Sequence, residues 1–261
     1  MNHQTRILAS SAIALALSAA AASQAATISL TGTIRDFTAG SQANPHPDFE
    51  TFCCSAQNGM VETNLGIDGK PVLAAGAPYA TSAATFNQWY NDVPGVNQST
   101  THTIVLDNGL GATTGGVYSY SNSSFFPIDG QLFGNYGGSG HNFHFTYELG
   151  TTFTYEGGEN FTFTGDDDVW VFINGELAVD IGGVHGAISK SVALDTLGLT
   201  AGNDYDFKLF FAERHTTESN FRIDTSIQLN PVPEPSTYAL MAAGLVGVGA
   251  LATRRRRQQA A

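Results

Sequence analysis

GDDDVWVFINGELAVDIGGVH, residues 165–185, is the stretch on which the reading of this 261-residue chain turns. Val169, Val171 and Ile173 alternate with Trp170 and Phe172, the two-residue period of a strand, and both sets are apolar, so a buried strand is expected. Asn174-Gly175 supplies the positive-φ residues of a tight hairpin turn, and Leu177-Ala178-Val179 returns as the partner strand. Gly182-Gly183 ends the unit. Three consecutive acids, Asp166, Asp167 and Asp168, stand at its entrance, crowded at one rim of a sheet. Like charges so close raise one another's pKa unless something positive sits among them. A bound cation is the simplest remedy; the alternative is a solvent-facing acidic turn.

Outward from this hairpin the same period recurs. Phe143, Phe145, Tyr147 and Leu149 share one face, opposite His144, Thr146 and Glu148. Phe161 and Phe163 lead into the acidic triplet. Beyond the hairpin, Tyr205, Phe207, Leu209 and Phe211 alternate with Asp206 and Lys208, and Phe221, Ile223, Thr225, Ile227 and Leu229 with Arg222, Asp224, Ser226 and Gln228. Residues 27–37 and 101–107 add two more strands. Many strands joined by short turns, several with a polar face, predict an all-β fold, an antiparallel β-sandwich with long loops. One short helix is expected in TSAATFNQWY (81–90), capped by Thr81 or Ser82 and stopped by the turn at Pro94-Gly95.

Composition narrows the function. Between residues 27 and 233 six basic side chains face 22 acids, which argues against nucleic acid as a partner, since phosphate contacts need a basic face. Charged residues are 13% of the chain against 11% aromatics and 29 glycines, a balance that suits an extracellular all-β domain. Residues 1–26, with Arg6 before an Ala-rich apolar run and small residues for cleavage, read as a secretory signal peptide. Cys53 and Cys54, the only cysteines, are adjacent and cannot staple distant segments. A vicinal ring, pairing between molecules and free thiols all remain open, and their spacing with His46 and His102 fits no zinc pattern. At the other end, Pro233-Glu234-Pro235, an apolar stretch over 238–252 and four arginines at 254–257 read as a short membrane segment with a basic flank, followed by processing.

Two resemblances rest on these residues. The tail VPEPSTYALMAAGLVGVGALATRRRR (232–257) resembles a PEP-CTERM sorting signal in all three of its parts. That implies export to the cell surface or extracellular matrix, transient anchoring in the inner membrane through the apolar helix, recognition and cleavage by an exosortase, and a final place beside exopolysaccharide. The body, residues 30–229, resembles the fibro-slime domain, a relative of the PA14 β-sandwich. The resemblance is carried by TGTIRDF (31–37), HPDFE (46–50), FNQWY (86–90), FFPIDG (125–130), HNFHFTYE (141–148), FTGDDDVWVFINGELAVDIGGVH (163–185) and FFAERHTTESNFRI (210–223). It implies a domain over 27–230, with residues 231–261 as the sorting segment, and adhesion or glycan binding rather than catalysis. In sugar-binding PA14 adhesins two consecutive aspartates joined by a cis peptide hold a Ca2+ that also ligates sugar hydroxyls. Asp166 and Asp167 match that pair, Asp168 stands where those proteins usually carry glycine, which leaves open which two of the three would hold the metal, and Asn220 is the nearest candidate for the asparagine of a second loop.

Asp166, Asp167, Asp168 and Asn220 are therefore the metal candidates, and His185, Glu213, His215 and Glu218, in loops expected at the same rim, the ligand-binding candidates. Calcium takes six to eight oxygens, which adjacent carboxylates and loop carbonyls supply, whereas zinc would want His and Cys. The leading expectation is a Ca2+-dependent module for extracellular polysaccharide or a cell-surface glycan. Its alternative is a structural matrix protein whose Ca2+ only ties loops together. A glycosidase, which needs two carboxylates about 5–9.5 Å apart, comes third because no acid sits in a catalytic signature.

Overall fold

The computed structural model describes residues 26–109 and 116–230. Ten strands form one antiparallel sheet: β1 (Thr27–Phe37), β2 (Asn97–Asp107), β3 (Tyr118–Asn122), β4 (Phe145–Thr154), β5 (Asn160–Gly165), β6 (Asp168–Ile173), β7 (Glu176–Ile181), β8 (Ile188–Ala193), β9 (Asp204–Glu213) and β10 (Phe221–Thr225). Their order across the sheet is β7-β6-β9-β4-β1-β2-β3-β10-β5-β8. β2 and β3 are joined at a single residue pair, Asp107 with Ser119, while β1 and β2 pair along all of their length. The sheet closes on itself until its edge strands β7 and β8 approach each other. The sandwich expected from the alternation is therefore one hydrogen-bonded sheet folded into two layers. Two of its strands, β3 (YSYSN) and β8 (ISKSVA), carry too few apolar residues to stand out in the sequence.

The layers meet through aromatic side chains. Phe163 and Phe221 from one layer lie 6.3 Å and 5.2 Å, ring centre to ring centre, from Phe211 of the other, and Phe161 lies 5.2 Å from Phe207. Val169, Val171 and Ile173 point into this core. Trp170 and Phe172 point the other way, into a second core with Phe37, Phe49, Phe86, Trp89 and Phe210. Residues 38–96, between β1 and β2, furnish most of that second core and cover the outer face of β4, β6 and β9. The cover accounts for one departure from the sequence reading. His144 and Thr146, on the face expected to be polar, are fully buried. Their polar atoms are served by the cover: Thr146 Oγ1 donates to the Trp89 carbonyl at 2.6 Å, and His144 Nε2 lies 2.9 Å from Glu50 Oε2.

Among the described residues the single α-helix, α1 (Ala83–Asn87), is shorter than expected, and Ser82 caps it in a reciprocal box with Thr85. Among the described residues no helix is long and apolar enough to cross a membrane. The sorting segment, including the apolar stretch 238–252, lies outside the described residues, as do the residues read as a signal peptide apart from Ala26.

Candidate functional site

All three aspartates of the triplet are buried, with 2, 4 and 0% of their surface exposed from Asp166 to Asp168, so they are not a solvent-facing turn. They sit where β5 ends and β6 begins, and each is held differently. Asp168, the first residue of β6, is turned inward. Its Oδ2 accepts from Arg214 Nε at 2.5 Å and its Oδ1 from the Gly183 N–H at 2.6 Å. Arg214 is itself fully buried. Its Nη1 donates to the carbonyls of Asp48 (3.2 Å) and Tyr79 (2.8 Å), and its guanidinium carbon stands 4.6 Å from the centre of the Trp89 ring. A buried ion pair is stable only when its remaining groups are also satisfied, and this one nearly is, with Nη2 alone unpartnered among the described residues.

Asp166 and Asp167, joined by a cis peptide, face a cavity of about 460 Å3 at the rim of the sandwich. Asp166 is clamped by Asn220, whose backbone N–H donates to Oδ1 at 2.5 Å and whose Nδ2 donates to Oδ2 at 2.8 Å. Gly165 permits the clamp, because a Cβ there would stand 2.2 Å from the Asn220 carbonyl oxygen. Asp167 accepts from the backbone N–H groups of His185 (3.0 Å) and Arg214 (3.1 Å). Burial pushes both carboxyls above the ordinary range. Asn220 opposes the rise at Asp166. At Asp167 the Arg214 charge opposes it and the Asp168 charge adds to it.

Behind the pair lies Glu213, the last residue of β9. It is fully buried, and neither carboxylate oxygen has a hydrogen-bond partner among the described residues. Burial raises its pKa well above the usual value and the Asp167 and Asp166 charges raise it further, while the nearby Ser219 hydroxyl and His215 N–H, which fall short of hydrogen-bond geometry, oppose the rise only weakly. An orphaned buried carboxylate is rare and needs a physical reason. With Arg214 committed to Asp168, the polypeptide leaves Asp166, Asp167 and Glu213 without a cationic side chain in hydrogen-bond contact. These carboxylates offer oxygen donors, the chemistry of Ca2+, although the imidazoles of His185 and His215 also line the cavity. Among the described residues no three acid, His or Cys side chains are gathered as a metal-binding group. A cation at Asp166 and Asp167 would therefore complete its shell from carbonyls, water or ligand hydroxyls, which Ca2+ accepts readily. On these grounds the residues fit the ion.

Of the eight residues singled out from sequence, Asp166, Asp167, His185, His215 and Glu218 line the cavity. Asp168, Glu213 and Asn220 stand behind it, as charge partner of Arg214, orphaned acid and clamp. His185 is half-buried; its Nδ1 lies 2.8 Å from the Gly186 carbonyl, while its Nε2 is buried without a partner among the described residues. His215 Nδ1 contacts the carbonyl of Thr216, and its Nε2 lies 3.8 Å from Glu50 Oε1.

Sequence reasoning missed three supports. Arg214 is one. The others are Asp48 and Glu50 of HPDFE, a motif whose chemistry shows only in three dimensions. Asp48 accepts from Trp89 Nε1 at 3.0 Å and from the Thr81 N–H at 2.6 Å, which fixes the cover on which Arg214 rests. Glu50 accepts from the Thr216 N–H (3.1 Å) and hydroxyl (2.8 Å) and so pins the loop between β9 and β10. Burial works against the Glu50 carboxylate, but hydrogen bonds from His144 and Thr216 outweigh it and bring its pKa down to about 2.

The comparisons with known proteins follow this geometry. Residues 128–237 match the model of the PA14 domain, and residues 231–257 that of the PEP-CTERM protein-sorting motif. The chain is 47% identical over 184 residues to protein psiQ of Dictyostelium discoideum, a match covering 66% of this chain and 18% of psiQ. It is 39% identical over 221 residues to protein psiC of the same organism, covering 77% of this chain and 41% of psiC. It thus spans well under half the length of these relatives. Among solved structures it is similar to a PA14 sugar-binding domain from an RTX adhesin, at a TM-score of 0.34 and 12% identity over 76% of this chain and 91% of that one.

Proposed function

We propose that this is an exported surface or matrix protein whose rim cavity binds carbohydrate through a Ca2+ held by Asp166 and Asp167. The observation that carries the reading is the charge at the site: two cavity-lining carboxylates backed by the orphaned Glu213, with the neighbouring Arg214 already paired to Asp168. A divalent cation offsets that charge. Its open coordination positions face the cavity, where two adjacent sugar hydroxyls replace water. Asn220 orients Asp166, the His185 and Arg214 N–H groups orient Asp167, and the side chains of His185, His215 and Glu218 offer hydrogen bonds to the rest of the ligand. The PEP-CTERM motif supports export, exosortase processing and a place among extracellular polysaccharides.

Melting temperature in Ca2+ against chelator, paired with polysaccharide titration, tests the reading. Binding to the folded state alone stabilises by about 2.7 kcal/mol at a hundredfold excess over the dissociation constant. Asp167→Asn should abolish the Ca2+-induced shift and the glycan binding while keeping a cooperative melt; Asn220→Ala should weaken both less. A Ca2+ shift with no binding across a broad glycan array would point instead to a loop-stabilising ion in a structural matrix protein. No Ca2+ shift at all would overturn the mechanism.

A further inference from the structure

The cavity has a second wall that the acids do not explain. Cys53 and Cys54 form a vicinal disulfide, and both line the same cavity as Asp166 and Asp167. A disulfide ordinarily stabilises by closing a loop of chain. This one closes none, since its cysteines are neighbours. Both are also exposed, whereas cysteine is among the most buried residue types. Neither stapling nor core packing accounts for it, so its purpose lies in what it faces.

The loop that carries it is firmly docked against the acidic rim. Gln57 and Gly182 exchange backbone hydrogen bonds at 2.5 and 3.1 Å. Gly183, at φ +92°, lies so close that a Cβ on it would stand 2.3 Å from the Ser55 carbonyl oxygen. The Gly183 N–H in turn holds Asp168. On the other side of the cysteines the Phe52 ring packs edge-on to Tyr79 at 6.0 Å, and the Tyr79 carbonyl accepts from Arg214. The disulfide is thus fixed relative to the aspartates from both directions. Val184 and Ile188 extend its apolar surface within the cavity.

Resting on the carbohydrate reading above, we propose that the Cys53–Cys54 disulfide is a specificity-determining wall of the glycan site, packing against the C–H face of a pyranose ring whose adjacent hydroxyls point to Asp166 and Asp167. A pyranose offers both halves of that match: a hydroxyl edge for the acids and their cation, and an apolar face for polarizable sulfur, which gains from close dispersion contact. An acyclic polyol offers the same adjacent hydroxyls and no rigid face. The disulfide therefore selects ring sugars over open-chain polyols without touching the ion.

The test compares the oxidised wild type with a Cys53→Ser/Cys54→Ser variant in saturating Ca2+. Both are titrated by calorimetry with methyl D-hexopyranosides of the gluco, galacto and manno series and with the acyclic tetrol erythritol. The expected result is at least a tenfold loss of pyranoside affinity, with erythritol affinity and the Ca2+-induced thermal shift within twofold of wild type. If the variant has no cooperative melt, the same comparison is made on wild type reduced by a phosphine under native conditions, where a threefold or greater pyranoside-selective loss is expected. Pyranoside binding retained in full without the disulfide overturns this proposal and leaves the carbohydrate reading standing. Equal losses for pyranoside and erythritol overturn it as well, since they mark the disulfide as a general support of the rim. Wild type that binds neither probe overturns both readings.

Discussion

Strand β5 runs between two cavities that make opposite use of acidic side chains. At its Asn160 end lies the larger, about 910 Å3, lined by Glu156, Glu159 and Asp224 among others. There the buried charge is fully served. Glu159 accepts from the Glu156 and Gly157 N–H groups at 2.6 and 2.7 Å, and Asp224 is held by Arg222 and by Ser119. At the Gly165 end the cavity is half that size, yet it gathers two aspartates, an orphaned glutamate and a disulfide wall. Size does not mark the candidate site. Unserved buried charge does, because a folded chain tolerates it only where something else completes it.

The widest gap between the two ends should appear when each loses its arginine. Arg214→Met leaves Asp168 buried and uncompensated and should cost about 3–5 kcal/mol, enough to abolish cooperative urea unfolding in a marginal domain. Arg222→Met removes an ion pair whose arginine is half-exposed and screened by solvent, so the urea midpoint should scarcely move. Comparable urea midpoints for the two variants would erase the distinction.

Glycines give the next contrast. Gly183 and Gly157 both have positive φ, but only at Gly183 would a Cβ meet backbone. Gly183→Ala should therefore lower stability by about 2 kcal/mol or more and Gly157→Ala by about 1, read as thermal melts. A similar shift for both would mean that the docking of the Cys53–Cys54 loop contributes nothing.

Neutralising the glutamates should produce effects of opposite sign. Glu213→Gln replaces a carboxyl whose ionised form burial and both aspartates disfavour, so stability in chelator should rise by about 1 kcal/mol while the Ca2+-induced shift shrinks. Glu159→Gln trades an acceptor oxygen for a donor facing N–H groups and should lower stability by about 1 kcal/mol, with no effect on the response to Ca2+. Equal signs in differential scanning calorimetry would contradict the assignment of unserved charge to one end.

The smallest expected effect is a pH dependence at Glu50. Its folded pKa of about 2 lies below its ordinary 4.5, so its contribution is complete above pH 4.5 and is lost as pH falls toward 2. Glu50→Gln should flatten the acid limb of melting temperature within that window. An unchanged limb would detach Glu50 from the loop between β9 and β10.

Much of the fold was legible from one dimension because alternation is a local property. In residues 168–173 two apolar sets interleave, and the structure sends Val169 and Val171 to one core and Trp170 and Phe172 to the other. The Asn174-Gly175 turn and the Ser82 cap were legible for the same reason: their chemistry is complete within a few residues. The site was legible only in part. Crowding of Asp166, Asp167 and Asp168 was visible as a run of letters, but their differing roles were not.

Those roles depend on partners far away in the chain: Arg214 for Asp168, Asn220 for Asp166, the Ser55 backbone beside Gly183. The sequence by itself determined an antiparallel all-β chain with an acidic rim and a PEP-CTERM sorting motif at residues 231–257. Tertiary structure decided that the sheet is continuous, that residues 38–96 bury the supposedly polar face of β4, and that two aspartates face a cavity while the third is neutralised inside. The physical reason is range. Periodicity and turn chemistry act between neighbours, whereas the cost of a buried charge is set by whichever groups the whole fold brings within a few ångströms of it.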